Sequence, residues 1–306
     1  MITPRITVVG SLNMDIVVSM KRMPKIGETI HGEEVHYIPG GKGANQALGC
    51  ARLTADTRMI GCVGQDMFGE TLLQQMKDNG IGLDGLEAVQ GRMTGTAHIS
   101  HTPDNNCIVV VPGANESCTA AYVRERKVAI QTANIVMAQL EVPLEAVMEA
   151  FTLAKSGGAL TILNPAPARP LPEGLLQLTD YMTPNETEWE LISGTDDQDE
   201  NRLASSIAEF QNRYGCNVIV TRGEKGASYT VDGKLATFRA PAVKPVDTTG
   251  AGDSFNAALA FALAQGKPMH DAVSFAVTAA SLSVQKFGAQ DGMPTLEEVL
   301  GTQSSD

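Results

Sequence analysis

From about residue 119 the chain alternates short apolar runs with amphipathic helical stretches, and this limits the fold more than any other feature. The periodicity predicts helix 119–130, strand 134–140, helix 143–156 and strand 159–163, then strand 180–183, helices 185–193 and 200–214, and strand 217–221. A hairpin near 226–238, turning at Asp232-Gly233, precedes helices 252–265 and 268–286 and a short one near 295–301. Repeated βα units place helices on both faces of a largely parallel sheet. Upstream, residues 5–10 (RITVVG) read as a buried first strand, 57–63 as another, and 43–53 and 68–79 as helices. Extended segments near 15–20, 28–38 and 95–112 fit the alternation poorly and can pair with one another as a small separate sheet. The last of them carries Pro103-Asp104-Asn105-Asn106 as a hairpin turn. The tail after Gly301 is expected to fray.

Composition narrows the function classes. With 43% hydrophobic and 19% charged residues, the chain reads as a globular protein with a sizeable core. A net charge of −12 argues against a broad nucleic-acid or anionic-membrane surface, though not against one bound nucleotide. Five scattered cysteines without a C-x-x-C pair fit reduced thiols and a cytoplasmic location. The first residues, MITPRITVVG, lack a long apolar run, so neither secretion nor a membrane span is expected.

The most telling string is DTTGAGDSF at 247–255. Gly250, Ala251 and Gly252 stand directly before an apolar run of helical period, so a glycine-rich turn opens a helix. Unpaired N–H groups and the positive helix end there form an anion hole. Asp253 at that point accepts a proton but cannot help bind an anion. A hole beside a base suggests phosphoryl transfer onto a hydroxyl; a plain first-turn Asp after a tight bend is the alternative. The helix dipole should favour the ionised carboxylate and make Asp253 a weak base.

Other strings add candidates. GGKGANQ at 40–46 also places glycines before a helix, with Lys42 as donor to a hydroxyl or phosphate and Asn45 as donor and acceptor for a sugar hydroxyl, but taken alone it favours a structural glycine turn. Asn13 and Asp15 after the first strand, and Glu141 after another, lie on the predicted carboxyl edge of the sheet, where ligands collect. In NETE, Asn185 and Glu188 read either as a helix capping box or as a hydrated Mg²⁺ site. TRGEKG at 221–226 could touch a nucleotide through Thr221 and its glycines, while Lys225 reads more simply as a solvated charge. His98 and His101, three apart in an extended segment, face opposite sides and make a poor metal pair.

Together, DTTGAGDSF, GGKGANQ and NETE, in this order and spacing, resemble the ribokinase family of carbohydrate kinases, the PfkB group. LEVP at 140–143, NPAPAR at 164–169 and KFGAQ at 286–290 fit as well, and the resemblance covers essentially residues 5–300. It implies one doubly wound, mostly parallel α/β domain over 1–306, with a small β-sheet lid formed by about 13–40 and 95–112 and often shared between two subunits. It further implies ATP-dependent transfer of the γ-phosphoryl group to a sugar hydroxyl, with the 5-hydroxyl of D-ribose favoured and 2-deoxyribose, another pentose or a nucleoside as alternatives. The implied sugar site is Asn13, Asp15, Gly41, Lys42, Gly43, Ala44, Asn45, Glu141 and Asp253, with Asp253 as base and residues 250–253 as anion hole. ATP would be held by Asn185, Thr221, Arg222, Gly223, Glu224, Lys225, Gly226 and Gly252, with Mg²⁺ near Asn185 and Glu188. A monovalent cation, usually K⁺, would lie near Asp247 and Thr249, with carbonyls of Ser283, Lys286 and Gly288. Two residues depart from the family pattern: Gly292 replaces a Ser that often ligates the ion, which puts K⁺ dependence in question, and Val277 replaces a His that flanks adenine.

Two rivals come from other classes. GDSF at 252–255 is similar to the nucleophile region of GDSL-type esterases, with Ser254 as attacker, but no D-x-x-H string follows it. A sugar sensor without turnover is the second, and it has no use for a base beside the anion hole.

Overall fold

The computed structural model describes residues 3–103, 105–195 and 199–303. In chain order the elements are β1 (Arg5–Val9), β2 (Asn13–Ser19), β3 (Glu34–Gly40), α1 (Lys42–Arg52), β4 (Asp56–Gly64), α2 (Met67–Asp78), β5 (Leu86–Val89), β6 (Gly95–His101) and β7 (Asn106–Val111). Then come α3 (Ala120–Glu125), α4 (Lys127–Gln131), β8 (Ile135–Ala138), α5 (Leu144–Gly157), β9 (Leu160–Leu163), α6 (Glu173–Leu178), β10 (Tyr181–Met182) and α7 (Glu186–Ser193). The chain closes with α8 (Glu200–Tyr214), β11 (Asn217–Thr221), β12 (Ala227–Val231), β13 (Lys234–Phe238), α9 (Ala251–Ala264), α10 (Met269–Ser283) and α11 (Leu296–Gln303).

A nine-stranded sheet runs β13-β12-β11-β10-β9-β8-β1-β4-β5, parallel from β11 to β5, with β12 and β13 antiparallel at one edge. Side chains alternate faces along each strand. Ile135 and Met137 therefore enter the core under α1, α2, α9 and α10, whereas Val136 and Ala138 enter the one under α3 to α8. This is the doubly wound α/β architecture expected from the alternation. From β1 the chain builds outward through β4 and β5, and later through β8 to β11 on the other side. The β1/β8 boundary is thus the topological switch point, and the crevice at its carboxyl end is where such sheets take ligands.

The poorly fitting extended segments do form a second sheet, ordered β3-β2-β6-β7. Its β2–β3 and β6–β7 pairs are antiparallel, while β2 and β6 run parallel. Its first rung is Gly40–Asn13–Gly95, so it starts where β1 leaves the main sheet.

Several boundaries differ from expectation. The third strand begins at Glu34 rather than 28, and strand 180–183 shrinks to Tyr181–Met182. Helix 119–130 breaks at Arg126, whose guanidinium lies 3.4 Å from the centre of the Tyr122 ring. Strand β5 and helix α6 were not foreseen: the first is a four-residue edge strand, and the second follows a Pro-rich stretch. Asp104 of the expected turn, and residues 304–306 of the expected frayed tail, lie outside the described residues. Among the described residues no helix is long and apolar enough to cross a membrane.

Candidate active site

The loop entering α1 lies directly on the exit of β1. Gly41 has φ +91°, and a Cβ there would sit within 2.9 Å of the backbone of Ser11, Leu12 and Asn13, so only glycine fits. The loop is fastened to the exit of β8 by Glu141, whose Oε2 accepts from the Ser11 hydroxyl (2.5 Å) and the Lys42 backbone amide (3.1 Å). Asn13 is held by Asn115, which donates to its Oδ1 at 2.8 Å and brackets both backbone groups of Leu12.

Helix α1 meets the start of α9 at Asp253. The Asn45 amide donates to Asp253 Oδ2 and the Gln46 amide to Oδ1, each at 2.9 Å. The carboxylate is only 6% exposed, yet its immediate partners are polar rather than aliphatic. Burial pushes its pKa up, against the Lys42 charge and the two amides. That reverses the shift expected from the helix terminus, because desolvation of a buried charge outweighs a half-charge dipole. The Lys42 ammonium is disfavoured by burial, but the charges of Asp253, Glu141, Glu188 and Asp15 prevail and raise its pKa. Asp15 is pushed up to about 7, first by burial and then by the charges of Glu141 and Asp253. Four carboxylates around one cation make a cluster rich in acceptors, suited to a polyhydroxylated ligand.

A cavity of about 560 Å³ opens beside the first turn of α9. Thr221, Gly223, Glu224, Gly226 and Gly252 line it, and so does Val277, which offers an apolar wall. A side chain at Gly252 would meet no protein atom, so the backbone there faces open space. Arg222 and Lys225 do not line it. Arg222 is buried and donates to Glu186 (3.3 Å) and Ser228 (3.2 Å), with Glu200 at 3.7 Å, while Lys225 lies 3.6 Å from Glu186. Their carboxylate partners on α7 and α8 draw both side chains away from the cavity. Of the amides at 250–253, that of Ala251 already donates to the Thr248 carbonyl at 3.3 Å, which leaves those of Gly250, Gly252 and Asp253 for an anion.

Asn185 and Glu188 form the capping box of α7, each side chain accepting from the other's backbone amide at 2.8 Å. The structural alternative is therefore present. Glu188 also feels the charges of Lys42 and Asp253, and burial raises its pKa, so its carboxylate belongs to the same electrostatic cluster. Asn185 pairs with Thr221 in an isolated parallel bridge, which fixes it beside the cavity.

Asp247 joins two loops, accepting from the Thr249 amide (2.9 Å) and the Gly288 amide (3.0 Å). Burial alone would raise its pKa, but these amides outweigh it and hold the carboxyl below the usual range. A Cβ at Gly292 would sit 2.4 Å from the Ser283 carbonyl oxygen and 3.1 Å from that of Gly288. These two oxygens converge on the space a side chain at 292 would need. Lys286 directs its ammonium outward to Glu298 at 3.1 Å. The esterase reading finds no support here: Ser254 is 2% exposed, and the ring of His270 is paired with the Tyr229 hydroxyl at 3.0 Å.

Residues 3–296 match the model of the pfkB family carbohydrate kinase. The chain belongs to the pfkB family of carbohydrate kinases. It is 44% identical to the ribokinase of Bacillus subtilis (strain 168) over 96% of this chain and 97% of that one. Among solved structures it is similar to Arabidopsis thaliana ribokinase complexed with ribose and ATP, at a TM-score of 0.92 and 34% identity over 98% of both chains. The ribokinase of Cryptococcus neoformans var. grubii serotype A in complex with ADP aligns at a TM-score of 0.83 and 28% identity, over 98% of this chain and 100% of that one. This pfkB-family chain is thus a phosphotransferase acting on a sugar.

Sequence reasoning missed the polar residues packed behind the site. Ser11, Asn115 and Gln139 lie in no motif; Gln46, Asn164 and Gln290 fall inside GGKGANQ, NPAPAR and KFGAQ, but the partners of all six lie far away in sequence. Those three strings, and for Gln46 its place next to Asn45 on a helix buried on nearly all sides, were the signals that could have flagged them.

The Asp15 shift has a stability consequence. Its folded pKa lies above its unfolded value, so the folded state holds the extra proton between about pH 4 and 7 and stability falls as pH rises through that window. We expect Asp15→Asn to be more stable than the parent above about pH 7, on the order of 2–4 kcal/mol, with the difference vanishing below about pH 4. Urea unfolding of both proteins across pH 4–8 measures this, and a constant difference would refute it.

Proposed function

We propose that this carbohydrate kinase transfers the γ-phosphoryl group of ATP to the 5-hydroxyl of D-ribose. One observation carries the reading: Asp253 faces the Lys42–Asp15–Glu141 cluster, while its neighbours Ala251 and Gly252 line the 560 Å³ cavity. A sugar held by the first and a nucleotide held by the second would meet at that carboxylate. The similarity to ribokinases, one of them complexed with ribose and ATP, supports both ligands.

In this reading Asn13, Asp15, Gly41, Lys42, Gly43, Ala44, Asn45 and Glu141 bind and orient the sugar. Asp15 suits a vicinal hydroxyl pair and so favours ribose over its deoxy analogue. Asp253 takes the hydroxyl proton, and burial makes it a better base than a surface aspartate. The Gly252 and Asp253 amides stabilise charge on the migrating group. Adenosine and phosphates lie along Thr221, Gly223, Glu224, Gly226 and Val277. Water-mediated contacts from Glu188 and Asn185 would hold Mg²⁺, which supplies charge neutralisation at the phosphates. Carbonyls of Ser283, Lys286 and Gly288, with Asp247 and Thr249, would hold K⁺, and the convergence of the Ser283 and Gly288 oxygens at Gly292 supplies ligands without the usual Ser.

The small sheet, within a single domain, serves as the lid that excludes water from the transfer. Every residue of β7 is exposed, with Ile108, Val109, Val110 and Val111 at 47–60%. An apolar strand of that kind is covered by a second copy of the chain, giving a homodimer through the lids. The described cysteines are all free, in keeping with a cytoplasmic enzyme fed by ATP.

Asp253→Asn should lower kcat by about 10²–10⁴ while sugar affinity by calorimetry changes far less; near-normal turnover would remove the base. A panel of pentoses, 2-deoxyribose and nucleosides with ATP and Mg²⁺, read by ADP release, should give the highest kcat/KM for D-ribose. Repeating it with K⁺ replaced by a large organic cation should reduce turnover, and unchanged rates would remove the ion from the scheme. Sedimentation should return a dimer at micromolar concentration; a monomer would oppose the lid pairing.

A further inference from the structure

Asp253 is the end point of two one-way chains of buried amides. In the first, Gln75 Nε2 donates to Gln290 Oε1 (2.6 Å), Gln290 Nε2 to Asn45 Oδ1 (2.9 Å), and Asn45 Nδ2 to Asp253 Oδ2 (2.9 Å). In the second, Gln139 Nε2 donates to Gln46 Oε1 (2.6 Å) and Gln46 Nε2 to Asp253 Oδ1 (2.9 Å). Gln46 Nε2 also lies 3.2 Å from Asn164 Oδ1, a side branch. The direction follows from valence. An ionised carboxylate only accepts, so each adjoining amide must present its NH₂ and turn its carbonyl outward, where only another donor fits.

Each chain leaves a loose end. Gln75 Oε1 and Gln139 Oε1 are buried and have no hydrogen-bond partner among the described residues; Arg126 Nε is the one other such atom. Buried polar groups are normally paired, so two unpaired carbonyls at the outer ends of two chains that converge on one carboxylate need an explanation. In both chains every amide dipole points its positive end at Asp253.

We propose that Gln75, Gln290, Gln139 and Gln46 are positioning residues that pin both oxygens of the Asp253 carboxylate and keep it ionised and correctly aimed inside a buried site. This rests on the reading of Asp253 as base. The residues come from separate parts of the fold: Gln75 from α2, Gln46 from α1, Gln139 from the exit of β8, and Gln290 from the loop after α10. The carboxyl plane is therefore set before any substrate arrives, and each oxygen keeps a free lone pair for the incoming hydroxyl. Gln46 works against the push of burial on the carboxyl, as does Asn45.

The test measures kcat against pH at saturating sugar and ATP, where the Asp15 titration of the free enzyme is suppressed. Gln46→Met removes one donor at similar volume, and Gln290→Met breaks the other chain one link out. Each should lower kcat about 10–100-fold at pH 7 and move the acid limb of the profile upward by about half to one pH unit, so that the deficit shrinks as pH rises. Sugar KM for Gln46→Met should stay within about threefold of the parent. Folded variants whose kcat stays within about twofold, or falls by one constant factor at every pH, would overturn the proposal. If Gln46→Met does not fold, Gln139→Met breaks the same chain without touching Asp253 and should show the same pH trend at about threefold loss; a flat ratio there is equally fatal. Asp253→Asn, run in parallel, separates the two readings. Turnover retained in it removes the base itself, whereas turnover lost in it, with flat ratios in the amide variants, removes only the positioning role.

Discussion

The desolvation of one carboxylate governs this structure. Asp253 sits in the first turn of α9, where α1 crosses it, and its charge is tolerable only because Asn45 and Gln46 of α1 donate to both oxygens. That requirement dictates the register of the two helices: a shift of one residue in either would leave a buried charge facing alanine. It also dictates the loop before α1, because the helix must begin close enough to β1 for residues 45 and 46 to reach. Gly41 makes that approach possible. Packing of the main sheet and placement of the reactive group are thus the same problem.

Around this point charge is distributed unevenly. Lys42 is the one cation among Asp15, Glu141, Glu188 and Asp253, and it remains protonated because those carboxylates outweigh its own burial. The excess of negative charge raises Asp15 to about 7. A neutral ligand with many hydroxyls relieves such a site by donating to it, whereas a second anion would be repelled. In the proposed reading an anionic ligand would instead go to the far side of Asp253, beside the α9 amides and the apolar wall of Val277. Separating the two ligands by charge around a shared carboxylate would give each reactant a distinct approach.

How much of this could be read beforehand depended on the range of the interactions. The strands and helices after residue 119 follow from local periodicity, and the glycine turn at 250–252 from its immediate neighbours. Strand β5 escaped notice because four half-exposed edge residues carry almost no periodic signal. The TRGEKG loop was legible as a cavity wall through Thr221, Gly223, Glu224 and Gly226, whereas the side chains of Arg222 and Lys225 turn from that cavity to Glu186 and Glu200, which lie too far along the chain for a local pattern to show. The supporting amides were illegible for the same reason in stronger form. Gln46 and Gln290 end the strings GGKGANQ and KFGAQ, yet those strings say nothing of partners at Asp253, 207 positions from Gln46, or at Asn45, 245 positions from Gln290.

The rung Gly40–Asn13–Gly95 is the root of the small sheet and includes Asn13, one of the residues proposed to bind the sugar. The sheet extends six further residues from it, to Glu34, Ser19 and His101, a cantilever about 20 Å long. A tilt of about 15° at the root would therefore sweep the tip through about 5 Å while displacing Asn13 hardly at all. If the small sheet acts as the proposed lid, mechanical advantage of this kind would let a small torque beside the sugar translate into the opening and shutting of the whole mouth.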